Sequence, residues 1–349
     1  MAQKNYMKKY NLDPFLKNLH EWINSFKIDS SPGNFSVKCN SKKPSLYGVC
    51  DMVYNLVITG ELERYLANHD DENIEEWIKR IHSYQNPKTG WFKEGLINFG
   101  GHFKEHSTAF ALSALKLLDK MPLYTLKVAK KLNSQKKVEK WLKTGPEWGF
   151  LYWPGSHRGG GIGAIFATLG PDQYPHEKFF DWYFDWLDKH ADKKVGFWRL
   201  GWIHKLKKKR LTRNELGGAV HYYWIYEFMG HPWPYPEKII DSTLSLQNNM
   251  GTWHKDYSYC IDLDAIHSLT RCCNQTSGYR KEDIRNAIIK YLDYVIEKMN
   301  DKKYLFEKYD TAHKLTGYVC AIAEINKFYP ELLDLPRPWI QTLDITPWI

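Results

Sequence analysis

The feature that most constrains the fold is a repeated pair of helical patterns. An amphipathic segment ends at a Gln or another polar turn, and a Gly and an aromatic residue follow, as in Gln85 and Gly90-Trp91. The copies cover residues 77–92, 244–253, 22–35, 141–150, 186–198 and 291–306, the last of which has lost its Gly. Self-similarity at a period of this length indicates a repeat architecture.

A segment rich in small residues follows each turn. These segments recur every 46–58 residues when aligned on Cys50, Thr108, Gly163, Gly218, Asp264 and Thr316, an interval that suits two helices and two loops. Small residues let backbones approach around a common axis, whereas amphipathic segments such as 74–81 suit an outer layer with one wet face. No Gly/Ser/Pro linker divides the chain. We therefore predict an all-α fold, an (α/α)6 toroid of inner and outer helices, as a single domain over residues 1–349.

Aromatic residues and positive charge narrow the function classes. Phe, Trp and Tyr make up 15% of the chain, and aromatic faces bind sugars, polyprenyl chains and cations, although packing of helix seams explains many of them equally well. The net charge of +9 includes basic runs at 130–131 and 205–210. Such runs are usually solvated, but they also attract anionic lipid, diphosphate or acidic polysaccharide. No nucleic-acid motif accompanies the charge, so we expect no nucleic-acid partner.

The sequence also indicates where the protein is located. Its first residues lack the apolar stretch of a signal peptide, and no run approaches the ~20 apolar residues of a membrane helix. The six Cys show no paired spacing beyond Cys272-Cys273, which is typical of reduced thiols. We therefore expect a cytoplasmic protein, with peripheral membrane contact left open.

Two stretches of the repeat resemble a known superfamily. One stretch combines the outer turn at Gln85 and Gly90-Trp91 with the segment Ser107-Thr-Ala-Phe-Ala-Leu that follows it. This combination is similar to the repeats of squalene/hopene cyclases and of protein prenyltransferase β subunits. The similarity is strongest over residues 77–118 and 244–269. It implies an α/α toroid and an enzyme acting on an isoprenoid-type substrate in a central aromatic cavity. Toroids of polysaccharide lyases and glycosidases share the architecture, so the resemblance points more strongly to a fold than to a function.

Within that resemblance, Asp262-Leu-Asp264-Ala265 is similar to the Asp-x-Asp-Asp signature of class II terpene cyclases. There the middle Asp protonates an alkene, so the resemblance implies that Asp264 is a catalytic acid with Asp262 beside it. Such an acid must stay neutral, which requires burial and a neighbouring carboxylate. Ala265 stands where the family has its third Asp.

The same segment resembles the zinc site of protein prenyltransferases, where an Asp-x-Cys in one repeat is joined by a His from the next. Here the resemblance implies a divalent metal, Zn or Mg, held by Asp262, Asp264 and His313, with oxygen ligands favouring a harder ion than the family's zinc. The alternative is structural: an Asp at the start of a helix caps free N–H groups, and His313 is equally compatible with a core position.

Other polar residues fall on the predicted rim of the ring. His106 occupies the repeat position of Asp262, so we predict that both begin inner helices on one rim, and we take His106 as a further catalytic candidate. The substrate-binding candidates are Tyr47, Asp51, His102, Arg158, Arg213, Glu215, His221 and Trp253.

The alternative function is that of a carbohydrate-active toroid working on an acidic polysaccharide. In lyases of that architecture a Tyr and a His or Asn act as acid and base, and His254 and Tyr257 lie in suitable order just before Asp262. A non-catalytic binding ring is the third hypothesis.

Overall fold

The computed structural model describes residues 9–95, 101–148, 151–201 and 210–349, and within them it is almost entirely helical. The α-helices of these ranges are α1 (Asp13–Asn24), α2 (Leu46–Thr59), α3 (Leu62–Ala67), α4 (Ile74–Ser83), α5 (Lys104–Leu117), α6 (Gln135–Lys143), α7 (Tyr152–Leu169), α8 (Phe179–His190), α9 (Arg213–Phe228), α10 (Pro236–Ser245), α11 (Cys260–Gln275), α12 (Lys281–Asn300), α13 (Lys302–Lys308) and α14 (Ala312–Phe328). Two short strands, β1 (Tyr10–Asn11) and β2 (Leu333–Asp334), pair in parallel. The prediction of an all-α protein is confirmed.

Short 3-10 helices complete the secondary structure of the described ranges, at Lys127–Lys131, Pro146–Trp148, Pro171–Gln173, Pro330–Leu332 and Thr342–Asp344. Two features singled out in the sequence, the Gly149-Phe150 turn and the basic run at 205–209, lie outside the described residues. None of the helices in the described ranges combines the length and the apolar character needed to cross a bilayer.

Six central helices are buried along nearly their whole lengths. They are α2, α5, α7, α9, α11 and α14, and each of them carries one of the six reference residues of the small-residue segments. Each contacts the next one along the chain, and α14 contacts α2 in turn. The contacts therefore form a closed circuit. One hydrophobic cluster extends from Tyr10 to Ile349.

Glycine allows two of these helices to approach their neighbours. A Cβ on Gly218 of α9 would collide with the carbonyl oxygen of Tyr152 at the start of α7, and one on Gly317 of α14 would lie 2.6 Å from the backbone nitrogen of Cys260. Neighbouring backbone cannot move away as a flexible side chain can. The small residues of the sequence pattern therefore have a direct steric role.

The amphipathic helices lie outside this circuit. In α4 the apolar residues Trp77, Ile78 and Ile81 are buried, and Asn73 caps the helix by accepting a hydrogen bond from the backbone N–H of Glu75 (2.9 Å). Burial of one such stripe supplies most of a short helix's stability, because an isolated helix of this length is marginal in water.

The Gln and the Gly of the repeat turn act together. The Gln85 side-chain amide donates to the carbonyl oxygens of Gly90 (3.0 Å) and Tyr124 (2.7 Å), and the Gln247 amide donates to those of Gly251 and Ala287 (2.8 Å each). Gly90 and Gly251 have φ values of +79° and +98°, which residues with a Cβ rarely adopt. Each turn thus joins its own helix to the next repeat.

The segment from residue 340 to residue 349, here the C-terminal segment, packs among all six central helices. Its hydrogen-bonding and ring partners are Tyr54 and Ile58 on α2, His106 and Ser113 on α5, Thr168 on α7, His221 and Trp224 on α9, Arg271 on α11, and Cys320 and Glu324 on α14. It begins beside the C-terminal parts of these helices and reaches the N-terminal part of α5 at Trp348. The sequence did not predict this packing.

Candidate functional site

A cavity of about 250 Å³ lies mainly at the end of the circuit where the central helices begin. Histidines and aromatic side chains dominate its lining: His102, His106, His157, His221 and His313, together with Trp153, Trp224 and Tyr259. Four separate stretches of chain supply these histidines. His102 and His106 lie just before and within α5, and the other three lie on α7, α9 and α14. We call this space the histidine cavity.

Three of the histidines form a compact group. One ring nitrogen of each of His102, His106 and His157 lies within 4.8 Å of the others. The ring centroids are 4.3 Å apart for His102 and His106, 4.2 Å for His106 and His157, and 4.8 Å for His102 and His157. Among the described residues, these three are the His, Cys, Asp or Glu side chains whose ligand atoms lie close enough together to share a metal ion.

A tyrosine hydroxyl orients two members of this group. The Tyr47 Oη lies 2.9 Å from Nδ1 of His102 and 2.9 Å from Nδ1 of His106, and 3.0 Å from the Ser107 hydroxyl. If both imidazoles donate from Nδ1 to the Tyr47 oxygen, that hydroxyl can donate onward to Ser107. In this arrangement Nε2 of both rings carries a lone pair.

The two other cavity histidines also have defined partners. Nδ1 of His221 lies 2.7 Å from the Ser156 hydroxyl, which donates to the carbonyl of Trp153 (2.6 Å). Nδ1 of His313 lies 3.0 Å from the Asp51 carboxylate, which also accepts a hydrogen bond from Thr316 (2.7 Å). A carboxylate paired to one ring nitrogen fixes the tautomer and leaves the other nitrogen as a base or ligand.

Burial keeps most of these imidazoles neutral. It lowers the pKa of His102 and of His221 to about 3, and it lowers the pKa values of His106 and His157 well below the usual range, with the neighbouring histidines lowering them further. Neutral imidazole is the form that binds metal ions and accepts protons. Nδ1 of His157 is buried and has no hydrogen-bond partner among the described residues. An unpaired buried nitrogen is costly, so a ligand at this atom is physically reasonable.

The structure does not bring Asp262, Asp264 and His313 together as a metal site. His313 lines the histidine cavity, whereas neither aspartate does. Among the described residues, the group with ligand atoms in reach of one another consists of His102, His106 and His157, here called the histidine trio. Asp262 accepts hydrogen bonds from the backbone N–H groups of Trp253 (2.7 Å), His254 (3.4 Å) and Tyr259 (2.9 Å). These contacts are those of the helix cap that the sequence left open as the alternative.

Asp264 has the burial that a neutral acid requires. It is completely buried, neither carboxylate oxygen has a hydrogen-bond partner among the described residues, and burial, with Asp262 nearby, raises its pKa well above the usual range. Burial also raises the pKa of Asp262 to about 7, although the backbone N–H groups act to lower it. Burial therefore favours the neutral form of the Asp264 carboxyl group, but this group lies outside the lining of the cavity.

The candidates before α11 form a separate aromatic group. The His254 ring lies 4.7 Å from that of Tyr257 and 5.3 Å from that of Tyr259, and Tyr259 in turn lines the histidine cavity. Burial lowers the pKa of His254 to about 4 and raises that of Tyr257. The indole N–H of Trp253 donates to the Thr243 carbonyl (2.8 Å), so Trp253 has a packing role.

Three of the charged rim candidates make structural contacts. The Arg158 guanidinium lies 3.9 Å from the centroid of the Trp141 ring and donates to the Trp141 carbonyl (2.6 Å). Glu215 forms the capping box of α9 with Thr212 and pairs with Arg199 (2.9 Å). Arg213 donates to the carbonyl of His254.

By contrast, the candidates Tyr47, Asp51, His102, His106 and His221 all lie at or directly behind the histidine cavity.

Sequence reasoning missed His157, Trp153, Trp224 and Tyr259. His157 lies six residues before its reference position Gly163, whereas His106 lies two residues before Thr108. No constant offset relates the two histidines, so the repeat register offered no signal for the trio.

Comparisons with protein-family models, with curated proteins and with solved structures gave no match for this chain. The resemblance to terpenoid cyclases and prenyltransferases therefore stays a prediction from two of the repeats. What supports a function is the arrangement of side chains around the histidine cavity.

Proposed function

We propose that this chain is an (α/α)6 toroid enzyme that uses one divalent metal ion, zinc, in the histidine cavity. The closed circuit of six central helices, with amphipathic helices outside it, supports the toroid. The observation that carries the function is the approach of His102, His106 and His157, with ring nitrogens within 4.8 Å of one another.

The donor set favours zinc over magnesium. Imidazole suits zinc and other late first-row metals, whereas magnesium prefers oxygen ligands. Nitrogens bound to a tetrahedral zinc lie about 3.3 Å apart, given zinc–nitrogen bonds of about 2.0 Å. The rings would therefore move closer together on binding, and His157, whose Nδ1 has no described partner, has no hydrogen bond at that atom to lose. Three histidines leave the fourth position open for water or substrate, as in catalytic zinc sites.

The surrounding side chains support catalysis on a small substrate. A metal in such a site polarises a bound oxygen and acidifies bound water. Tyr47 would orient two ligands, and the His313–Asp51 pair would supply a fixed imidazole beside them. Trp153, Trp224 and Tyr259 give the cavity apolar and cation-binding faces, which favour a short isoprenoid-type group.

Metal content is the first test of this function. We expect purified protein dialysed against zinc to retain close to one ion per chain by elemental analysis, and cobalt in its place to give the intense visible absorption of a tetrahedral nitrogen site. His157→Ala should abolish both signals. His190→Ala is the matched control, because His190 lies on α8, where its Nδ1 is 2.6 Å from the Trp186 carbonyl and its ring stacks on that of Trp186.

Activity is the second test. Parent protein with zinc should turn over a short isoprenoid diphosphate or alcohol, and it should lose that activity on chelation and regain it on addition of zinc. Protein that retains no metal, or a His157→Ala variant that keeps full metal content, would contradict the proposal.

A second candidate function is a lyase acting on an acidic polysaccharide. It is favoured by the neutral His254 beside Tyr257, with the Lys314 ammonium 5.6 Å from the centre of the Tyr257 ring. Its mark would be the appearance of unsaturated uronate absorbance with uronic-acid polymers, lost in His254→Ala and in Tyr257→Phe. Chelation should leave this activity unchanged, because neither residue belongs to the histidine trio.

A further inference from the structure

An exposed group of apolar side chains lies between α5 and α6. Seven large apolar residues of the described ranges are exposed, and three of them, Met121, Leu123 and Tyr124, fall within four consecutive positions. We call residues 121–124 the apolar loop. Its Leu123 is 60% exposed. Single apolar side chains on a surface are normal, whereas a group of them marks a contact with a protein or a membrane.

The repeat turn beneath the apolar loop fixes its backbone. The Gln85 side-chain oxygen accepts hydrogen bonds from the N–H groups of Leu123 (2.8 Å) and Tyr124 (3.1 Å), and the Gln85 amide donates to the Tyr124 carbonyl (2.7 Å). One ring nitrogen of His82 lies 2.9 Å from the Met121 carbonyl oxygen. The loop can therefore enter an apolar medium without leaving these N–H and C=O groups unpaired.

Positive charge surrounds this loop. Residues 116–143 carry nine lysines, all exposed except the half-buried Lys120, against two acidic residues. Three of the lysines lie on the 3-10 helix that follows the loop, where Val128 is buried and Lys127, Lys130 and Lys131 are exposed. Because Lys127 follows Tyr124 by three positions, their Cα atoms lie at most about 11 Å apart.

These three lysines are available for an external partner. Lys120 pairs with Glu75 (3.4 Å), but Lys127, Lys130 and Lys131 form no ion pair with a carboxylate among the described residues. An unpaired group of cations beside exposed apolar side chains suits a partner that is both anionic and apolar.

We propose that the apolar loop and the lysines of residues 127–131 form a docking surface for the anionic lipids of a membrane. Met121, Leu123 and Tyr124 enter the boundary between headgroups and acyl chains, and the lysine ammonium groups contact the negative headgroups. A bilayer supplies both the charge and the apolar layer beneath it, whereas a nucleic acid supplies the charge alone. The inference is independent of the metal site, since none of these residues lines the histidine cavity.

Sedimentation of the full chain with lipid vesicles tests this surface. We expect binding to mixed vesicles of phosphatidylcholine and phosphatidylserine that is much stronger than binding to phosphatidylcholine alone and that weakens with added salt. A lysine near an anionic leaflet strengthens binding about fivefold, so joint replacement of Lys127, Lys130 and Lys131 by Gln should weaken it on the order of a hundredfold. Leu123→Gln should weaken it by about tenfold or more, because the amide opposes entry into the apolar layer.

The control is the joint replacement of Lys298, Lys302 and Lys303, on α12 and α13, by Gln. It lowers the net charge equally and should leave vesicle binding close to that of the parent. Equal binding of the parent to both kinds of vesicle, no binding to either, or an equal loss in the two lysine variants would overturn the proposal. Full binding by Leu123→Gln would overturn it as well, since the contact would then depend on charge alone, as with an acidic macromolecule.

Discussion

Glu147 offers a sharp test of the electrostatics inside this protein. The side chain is 2% exposed, the Tyr222 hydroxyl donates a hydrogen bond to its Oε1, and Oε2 has no hydrogen-bond partner among the described residues. Burial raises the pKa of Glu147 from 4.5 to about 7, although the Tyr222 hydrogen bond and the Arg158 charge act to lower it. The folded protein therefore holds this carboxyl protonated under conditions in which the unfolded chain ionises it.

The sign and size of the effect follow from that difference. Because the folded-state pKa lies above the unfolded one, the stability associated with the neutral carboxyl is fully present below pH 4.5 and is lost as the pH rises to about 7. One pKa unit corresponds to about 1.4 kcal/mol. Between about pH 5 and about pH 8, Glu147 should therefore lower the free energy of unfolding by on the order of 2–3 kcal/mol.

Glu147→Gln removes the titration while keeping an oxygen to accept from Tyr222. The new amide N–H groups lower the free energy of unfolding by an amount that does not depend on pH. The informative quantity is therefore the difference in free energy of unfolding between parent and variant, and how that difference changes with pH. We expect urea unfolding, followed by fluorescence, to show that the free energy of unfolding of the variant rises by about 2–3 kcal/mol relative to that of the parent between about pH 5 and about pH 8. The exposed Glu63→Gln is the control and should follow the parent. Parallel curves for parent and Glu147→Gln would refute the reasoning.

Three further changes test other parts of the structure. Asp262→Ala removes a carboxylate that caps backbone N–H groups, so urea unfolding should show a loss of about 1–2 kcal/mol while zinc content stays unchanged. Glu324→Gln removes a charge that pairs with the buried Arg271, and the same assay should show a loss on the order of 3 kcal/mol, since Arg271 would keep only its more exposed partners. Zinc at a hundred times its dissociation constant should raise the free energy of unfolding of the parent by about 2.7 kcal/mol, and in thermal melts it should leave His157→Ala unshifted.

The sequence was informative wherever one repeat resembled the next. The small-residue segments and the paired Gln and Gly of the turns recur because every repeat solves the same local problem of close helix contact and chain reversal. Gln85 and Gln247 anchor equivalent turns, so their spacing predicted real structural units. Interactions that are local or periodic can be seen in a single sequence.

The cavity was only partly predictable, because its histidines come from helices far apart in the chain and at different depths. His157 and His221 lie on α7 and α9 at unrelated repeat positions, and only the packing of those helices brings their rings to 5.1 Å. The C-terminal segment belongs to no repeat, so the pattern gave no reason to place Trp348 against them. Its position depends on contacts with residues that are hundreds of positions away in sequence, such as Tyr54.

His106 and Asp262 show why register predicts a place but not a role. They are the third residues of α5 and α11, as their equivalent repeat positions indicate. A short carboxylate at that position reaches back to the backbone N–H of the residue before the helix, so Asp262 bonds to Tyr259 and becomes a cap. The His106 imidazole instead has its Nδ1 2.9 Å from the hydroxyl of Tyr47 on the neighbouring helix α2. Tertiary packing determines which neighbour each side chain meets. Asp262 therefore caps its helix, whereas His106 faces the cavity.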